Sequence, residues 1–167
     1  MIWMAPSCNA GAPFLMANHL TNGERYLMKN ILFLCTGNSC RSVMAEAYFN
    51  QAAAGTWRAY SAGSQPTGEI HPLAIQTLKD AGVLFSVPRS KSWSEFEGAD
   101  ALPMDMVVTV CGNAADEVCP IWPGIPTNAH WPFPDPAGFS GSYEDKLDHF
   151  RSVFIMIKER IDLFLDV

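Results

Sequence analysis

Residues 31–42 of this 167-residue chain are ILFLCTGNSCRS, and this stretch decides the fold. The apolar run 31–34 is typical of a buried strand, and residues 43–49, directly after the stretch, have the composition of a helix. A loop between them would point its backbone N–H groups inward at a helix N-terminus, where the helix dipole favours an anion. Cys35 and Arg41 give this loop a nucleophile and a guanidinium that can bind a tetrahedral oxyanion with two donors. We expect the same field to lower the Cys35 pKa and to favour the thiolate.

The composition limits the classes of partner. A formal net charge of −6 argues against a nucleic-acid partner or an anionic membrane surface. An apolar fraction of 49% and a charged fraction of 17% are typical of a globular protein, and the length suits a single domain. No apolar run is long enough to predict a membrane span.

The cysteines predict a reducing environment. There are five, an odd number, and Cys35 lies in the predicted nucleophile loop. This pattern favours catalytic thiols in the cytoplasm over a secreted disulfide framework. The sequence has no Cys-x-x-Cys or His-x-x-x-His pair, so we expect no zinc or other metal site.

Residues 1–27 differ in character from the remainder. They contain prolines, glycines and asparagines without apolar periodicity, and no basic residue precedes the short apolar run 10–17, which makes a poor signal peptide. We expect a disordered or loosely packed N-terminal extension. Met28, just before the first predicted strand, would make a natural start, and residues 28–167 would form the domain.

Strands and helices are expected to alternate along the domain. This order predicts right-handed crossovers and a parallel sheet covered on both faces, with ligands at the carboxyl ends of the strands. Cys35 and Cys111 each follow a predicted strand directly, so we expect them at the same edge of the sheet. Strands are predicted at 31–34, 57–61, 105–110 and 127–130, and helices at 43–49, 72–81 and 142–167, the last with a Ser142/Asp145 capping box.

Cys111 and Cys119 form a second candidate pair, with seven residues between them. A helix would hold them roughly 10 Å or more apart, whereas a disulfide needs Cα atoms within about 7 Å. Pairing therefore requires a loop here, or a rearrangement. The alternative is two inert core cysteines.

Asp135 is a candidate acid because it lies between two prolines in a stiff loop. A carboxylic acid held over an oxyanion site could protonate a leaving oxygen. The alternative is an aspartate that only forms a turn.

These stretches resemble a known family. Residues 35–42 are similar to the phosphate loop of the low-molecular-weight tyrosine phosphatase superfamily. Together with Ser61-Ala62-Gly63, the two later cysteines, His130-Trp131 and Asp135-Pro136, they make residues 28–167 resemble phosphatase-like arsenate reductases that use a thiol–disulfide relay. The resemblance implies an α/β domain, a three-layer sandwich around a four-stranded parallel sheet.

The resemblance also implies a role for each motif residue. Cys35 would be the nucleophile in the reduction of arsenate to arsenite, for arsenic detoxification, and Asp135 the acid. Cys111 and Cys119 would complete the disulfide relay, and Ser42 would hydrogen-bond the Cys35 thiolate. Arsenate, with phosphate or sulfate as mimics, would bind to Arg41 and to the loop residues Thr36, Gly37, Asn38, Ser39 and Cys40.

Four further positions would support the loop, namely Asn38, Glu46, Ser61 and Lys91. Some relatives bind potassium behind the loop, and here the Lys91 ammonium would take the place of the ion. No cofactor is implied. The relay cysteines have one more residue between them than in the thioredoxin-using members, so the electron donor could be thioredoxin or glutathione with glutaredoxin.

Two other functions remain open. A phosphatase acting on phosphotyrosine or a small phosphomonoester would use the same loop and acid without Cys111 or Cys119, although Val43 and Ala137 differ from the phosphatase pattern. A non-catalytic sensor of redox state or arsenite could also use several convergent thiols, and it would bind once without turnover.

Overall fold

The structure is a computed structural model that describes residues 28–86, 89–112, 122–123 and 126–166. The predicted strands and helices are confirmed within this part of the chain, with small shifts at their ends. The strands are β1 (Lys29–Cys35), β2 (Trp57–Gly63), β3 (Met106–Thr109) and β4 (Thr127–His130). The α-helices of the described residues are α1 (Arg41–Ala52), α2 (Pro72–Asp80) and α3 (Tyr143–Leu165), and a 3₁₀ helix spans Trp93–Phe96.

The four strands form one parallel sheet in the order β2-β1-β3-β4, as expected. β1 is central, and residues 31–34 are fully buried, which explains their uninterrupted apolar run. The register pairs Leu34 of β1 with Ala62 of β2 on one side and with Thr109 of β3 on the other. The carboxyl ends of these three strands therefore lie side by side at one edge of the sheet.

The two faces of the sheet are covered differently. α1, α2 and α3 pack against one another on the face that carries Ile31 and Phe33. On the other face, Leu32 and Leu34 pack against Phe96, Met104 and Trp122. In the described residues this second layer consists of loops and the 3₁₀ helix, whereas all three α-helices share the first face.

The helix ends follow the local sequence. Ser142 and Asp145 make the predicted capping box at the start of α3. At the start of α2, the ring nitrogen Nδ1 of His71 accepts the backbone N–H of Leu73, and Pro72 takes the first helical position. Gly82 follows α2 with φ +69°, a left-handed conformation that glycine adopts without strain.

Some expectations concern residues outside the described ranges. These include the loosely packed extension at 1–27 and the segment 113–121 that contains Cys119. Among the described helices, none combines the length and the apolar character needed to span a membrane.

Candidate active site

The loop between β1 and α1 is built around the side chain of Asn38. This residue is fully buried and has a positive φ of 43°, a conformation that asparagine tolerates better than most residues. Its Nδ2 donates to Ser42 Oγ at 3.0 Å and to Ser61 Oγ at 2.9 Å. Its Oδ1 accepts the backbone N–H of Lys91 at 2.8 Å. One side chain thus ties the loop to α1, to β2 and to the segment after α2.

Gly63 lets the loop approach β2 closely. A Cβ at this position would lie 2.4 Å from the carbonyl oxygen of Thr36 and 3.0 Å from Asn38 Cβ. Such distances exclude any side chain unless the loop moves. Glycine is therefore required at the end of β2.

A lysine and a glutamate lie behind the loop. Lys91 Nζ is 3.5 Å from Glu46 Oε2, and the lysine side chain is only 10% exposed. Glu46 Oε2 also accepts the hydroxyl of Ser61 at 2.5 Å, and Ser61 is bound to Asn38. The ammonium, the carboxylate, the hydroxyl and the amide form one connected network, in which the buried charge of Lys91 has an acidic partner.

Arg41 is held at the mouth of the loop by two partners. Its Nη1 donates to the carbonyl oxygen of Phe133 at 3.1 Å, and its Nη2 is 3.3 Å from Asp135 Oδ1. Its Nε is buried and has no hydrogen-bond partner among the described residues. An unused buried donor on an oriented guanidinium fits an oxyanion, which can accept from Nε and one terminal nitrogen together.

The structure brings Cys35 and Cys111 together. The register places the end of β1 beside the end of β3, and the two thiols are close enough for Cys111 to act on the ionisation of Cys35. Thr36 Oγ1 lies 3.6 Å from Cys111 Sγ. Cys35 is 5% exposed and Cys111 is 2% exposed. The candidate nucleophile and the candidate second thiol of the relay are therefore neighbours at the buried edge of the sheet.

The neighbouring thiol raises the pKa of Cys35, whereas the loop sequence predicts a lowered pKa. The hydrogen bond with Cys111 and burial raise the pKa of Cys35 well above its usual value. The positive charge of Arg41 and the backbone N–H of Gly37 lower it, as the loop sequence predicts, but their effect is smaller. The prediction of a lowered pKa was wrong because it considered the loop alone, whereas two adjacent thiols cannot both ionise easily.

Asp135 lies at the solvent side of the same site. Its side chain is 54% exposed and approaches Arg41 from the loop that follows β4. The backbone N–H of Ala137 donates to its Oδ1 at 3.4 Å. The acid candidate and the anion-binding guanidinium are therefore adjacent.

The remaining loop residues have limited contacts. The Ser42 hydroxyl oxygen accepts from Asn38, and a bond from Ser42 to the Cys35 sulfur is not present among the described residues. Ser39 Oγ lies 3.5 Å from Cys40 Sγ, and burial raises the pKa of the Cys40 thiol to about 11. Cys40 therefore stays protonated at neutral pH. Within the described ranges, no cluster of three or more His, Cys, Asp or Glu side chains could hold a metal ion.

Sequence reasoning missed two contacts at this site. The carbonyl of Phe133 orients Arg41, and the hydroxyl of Thr36 touches Cys111. Neither has a sequence signal, because a backbone carbonyl is present at every residue and the Thr36–Cys111 contact depends on the register of β1 and β3. His71 was also missed, although a histidine directly before the proline that starts a helix is a recognisable cap position.

Comparison with known proteins agrees with this geometry. Residues 30–166 match the family described as low molecular weight phosphotyrosine protein phosphatase. An arsenate reductase of Bacillus licheniformis is 40% identical over 139 residues, which cover 83% of this chain and 96% of the relative. The chain therefore belongs to the low molecular weight phosphotyrosine protein phosphatase family.

Two solved structures show the same architecture. One is described as an arsenate reductase in the phosphate binding state, with a TM-score of 0.63 and 30% identity over 83% of this chain and 98% of the other. The second is a thioredoxin-dependent arsenate reductase of Corynebacterium glutamicum, with a TM-score of 0.54 and 28% identity over 81% of this chain and 63% of the other.

Proposed function

We propose that this protein is an arsenate reductase that uses a relay of Cys35, Cys111 and Cys119 and acts in arsenic detoxification. The observation that carries the proposal is the position of Cys111 beside Cys35, at the ends of paired strands and next to an oriented arginine. A phosphatase needs the nucleophile and the arginine but has no use for a second thiol against the first. The names of the relatives support the same substrate.

Arsenate binds with its oxygens on Arg41 and on the backbone N–H groups of residues 36–40. The Nε of Arg41 is the donor left for it, and the loop lies at the positive N-terminus of α1. Phosphate or sulfate would occupy the same site as a mimic. Asn38, Glu46, Ser61 and Lys91 keep the loop in shape from behind, and the Lys91 ammonium supplies a fixed positive charge there.

The first step forms a bond between Cys35 sulfur and arsenic. Asp135 exchanges its Arg41 partner for a solvent proton as the oxyanion takes the arginine donors, and it then passes that proton to one oxygen, which leaves arsenic as water. A high Cys35 pKa does not block this step, because a dianionic arsenate can accept the thiol proton as it binds. The complex of the Cys35 thiol with dianionic arsenate holds the same number of protons as the complex of the Cys35 thiolate with monoanionic arsenate. Ser42 then serves as a hydrogen-bond donor to the thiolate whenever that form is present.

The second step transfers two electrons to arsenic. The Cys111 sulfur attacks the Cys35 sulfur, the S–As bond breaks with its electron pair staying on arsenic, and arsenite leaves. The products are a Cys35–Cys111 disulfide and arsenic reduced from the +5 to the +3 state. Cys119 then attacks Cys111, which frees Cys35 and leaves a Cys111–Cys119 disulfide.

An external dithiol closes the cycle by thiol–disulfide exchange. We propose thioredoxin as the donor, since one structural relative is described as thioredoxin-dependent, with glutathione and glutaredoxin as the alternative. This chemistry calls for a reducing compartment, so we place the protein in the cytoplasm. The cycle requires no bound cofactor.

The experiment that tests this proposal compares the two donors side by side. Purified protein and arsenate are supplied with thioredoxin, thioredoxin reductase and NADPH, or with glutathione, glutaredoxin, glutathione reductase and NADPH. We expect arsenate-dependent NADPH oxidation and stoichiometric arsenite with the thioredoxin system. Absence of turnover with both systems would contradict the proposal.

Phosphatase activity is the second candidate function. The family description and the Cys35–Arg41–Asp135 constellation favour it, because phosphate and arsenate have nearly the same shape and charge. We expect slow hydrolysis of p-nitrophenyl phosphate as a secondary activity. An aryl phosphatase rate far above the arsenate turnover would make the phosphatase the main function.

A further inference from the structure

The segment 65–71 holds the anion loop from outside. Three carbonyl groups of the loop accept backbone N–H groups of this segment, each at 3.0 Å. The bonds run from Gln65 to Thr36, from Thr67 to Gly37 and from His71 to Ser39. Three peptide units of the loop are therefore fixed by a neighbouring stretch of backbone.

The bonds to these carbonyl groups also set the direction of the N–H groups. The peptide bonds of the loop are trans, and in a planar trans peptide the C=O and the N–H point in opposite directions. The N–H groups of Gly37, Asn38 and Cys40 belong to the three fixed peptides, so they point away from the segment 65–71. For Gly37 this is the side of the Cys35 thiol, whose pKa its N–H lowers. The segment thus orients donors that the proposed oxyanion would meet.

Ser90 adds a side chain to one of these peptides. Its hydroxyl oxygen accepts the backbone N–H of Gly68 at 3.2 Å and donates to the carbonyl oxygen of Gly37 at 3.4 Å. Ser90 is buried, so water has little access to this hydroxyl. The Gly37 carbonyl therefore has two donors, the hydroxyl of Ser90 and the N–H of Thr67.

We propose that Ser90 is a positioning residue for oxyanion binding, because its hydroxyl holds the Gly37–Asn38 peptide with the Asn38 N–H directed at the bound anion. This inference rests on the proposed oxyanion site in the loop. In the free protein the bond to Gly37 is long, since O–H···O bonds usually measure about 2.7–2.8 Å. An oxyanion that accepts the Asn38 N–H polarises the peptide and makes its carbonyl oxygen a stronger acceptor. The Ser90 hydroxyl then closes on this oxygen, and the bond strengthens when the anion is bound.

The substitution Ser90→Ala removes the hydroxyl and keeps the backbone bonds of the segment 65–71. Gly68 is exposed, so water can replace the hydroxyl as the acceptor of its N–H. We expect the dissociation constant of phosphate, measured by calorimetry on the reduced protein, to rise roughly threefold. The melting temperature without phosphate should stay near that of the wild type, because the bond is weak in the free protein. The increase in melting temperature caused by phosphate should be smaller.

The matched control is Ser92→Ala, the same substitution two residues further along the chain. The Ser92 hydroxyl oxygen accepts from the backbone N–H and the hydroxyl of Ser94, at the start of the 3₁₀ helix. These bonds do not involve the anion loop. Ser92→Ala should therefore keep the wild-type phosphate affinity.

Amide signals in a proton–nitrogen correlation NMR spectrum identify the peptide through which Ser90 acts. In the wild type, phosphate should move the amide proton signals of Asn38 and Cys40 downfield, because their N–H groups bond to the anion. In Ser90→Ala at saturating phosphate, this displacement should be smaller for Asn38 and unchanged for Cys40, whose peptide is held by His71. A general loosening of the loop would reduce both displacements.

A wild-type phosphate affinity in Ser90→Ala would overturn the inference. So would equal reductions of the two displacements, or the same loss of affinity in Ser92→Ala. If the wild type binds phosphate but fails to reduce arsenate, the proposed function is wrong, while the phosphate measurements still test Ser90.

Discussion

At the scale of single residues, the position of Cys111 beside Cys35 has the largest effect on the proposed chemistry. Each thiol is almost completely buried, and the second sulfur is the main reason that the first is hard to ionise. In the proposed relay, Cys111 attacks the Cys35 sulfur, and the pairing of β1 with β3 places the two residues side by side for that step. Because the Cys35 thiol is hard to ionise, the proposed mechanism has the bound arsenate accept its proton.

Removing the second thiol should make Cys35 more acidic. Cys111→Ala removes the largest cause of the raised Cys35 pKa. Burial still raises the pKa in this variant, while Arg41 and the Gly37 N–H lower it. We expect the pH profile of Cys35 alkylation by iodoacetamide, followed on the Cys35 peptide by mass spectrometry, to move to lower pH. Alkylation at pH 7 should therefore be faster than in the wild type.

Cys40→Ala is the control for this measurement, because Cys40 is buried in the same loop but is not among the groups that act on Cys35. Its profile should stay near that of the wild type. An unchanged profile in Cys111→Ala would show that the thiol contact does not control Cys35.

Asp135→Asn tests the acid. The change preserves size but removes the proton that the departing oxygen needs, so we expect the chemical step to slow by roughly a hundredfold or more. Phosphate affinity should change little, since Arg41 keeps its bond to the Phe133 carbonyl. Rapid-quench measurement of thiol oxidation, with phosphate binding by calorimetry, separates the two. A large loss of phosphate affinity at normal rate would assign Asp135 a structural role only.

At the scale of elements, the loop depends on parts of the chain that are distant in sequence. Asn38 joins α1, β2 and the segment at Lys91, and Gly63 provides the space for the loop to approach β2. The strand, loop and helix at 29–52 could be predicted from their own residues. The second layer of the sheet could not, because residues 89–104 have no periodic pattern and their position depends on the path of the chain around β1.

The Lys91–Glu46 pair predicts insensitivity to potassium. The Lys91 side chain is 10% exposed, and its ammonium already pairs with the Glu46 carboxylate, so an added potassium ion finds no unpaired negative charge there. We expect the same melting temperature in potassium and in sodium salts for the wild type. Lys91→Asp should weaken phosphate binding, because it sets a second carboxylate beside Glu46, and potassium should partly restore that binding.

The control for Lys91→Asp is Lys79→Asp, an equal charge change at an exposed position at the end of α2. It should leave both phosphate affinity and cation dependence unchanged. A wild-type protein stabilised by several degrees in potassium would contradict the assigned role of Lys91.

At the scale of the whole molecule, the alternation of strands and helices was enough to predict a parallel sheet with Cys35 and Cys111 at one edge. Periodicity and the Ser142/Asp145 pair predicted α3 closely. The effect of Cys111 on the ionisation of Cys35 could not be predicted, since it requires the register of β1 on β3. The orientation of Arg41 likewise depends on the path of the loop after β4, which no local pattern specifies.

Removal of residues 1–27 should have little effect on the domain. These residues lack an apolar pattern that could add to the core, and the family match begins at residue 30. We expect the shortened protein to keep its melting temperature and its arsenate turnover. A fall of several degrees in melting temperature would show that residues 1–27 pack on the domain.

Arsenate turnover should depend on all three relay cysteines, and one assay of four proteins tests this dependence. Arsenite formation with the thioredoxin system and hydrolysis of p-nitrophenyl phosphate are measured for the wild type, Cys35→Ser, Cys111→Ser and Cys119→Ser. Cys35→Ser should lose both activities, because a serine hydroxyl stays protonated where a thiol can ionise. Cys111→Ser and Cys119→Ser should lose repeated arsenate turnover and keep phosphate ester hydrolysis. Arsenite formation at the wild-type rate by Cys111→Ser would show that turnover does not pass through Cys111.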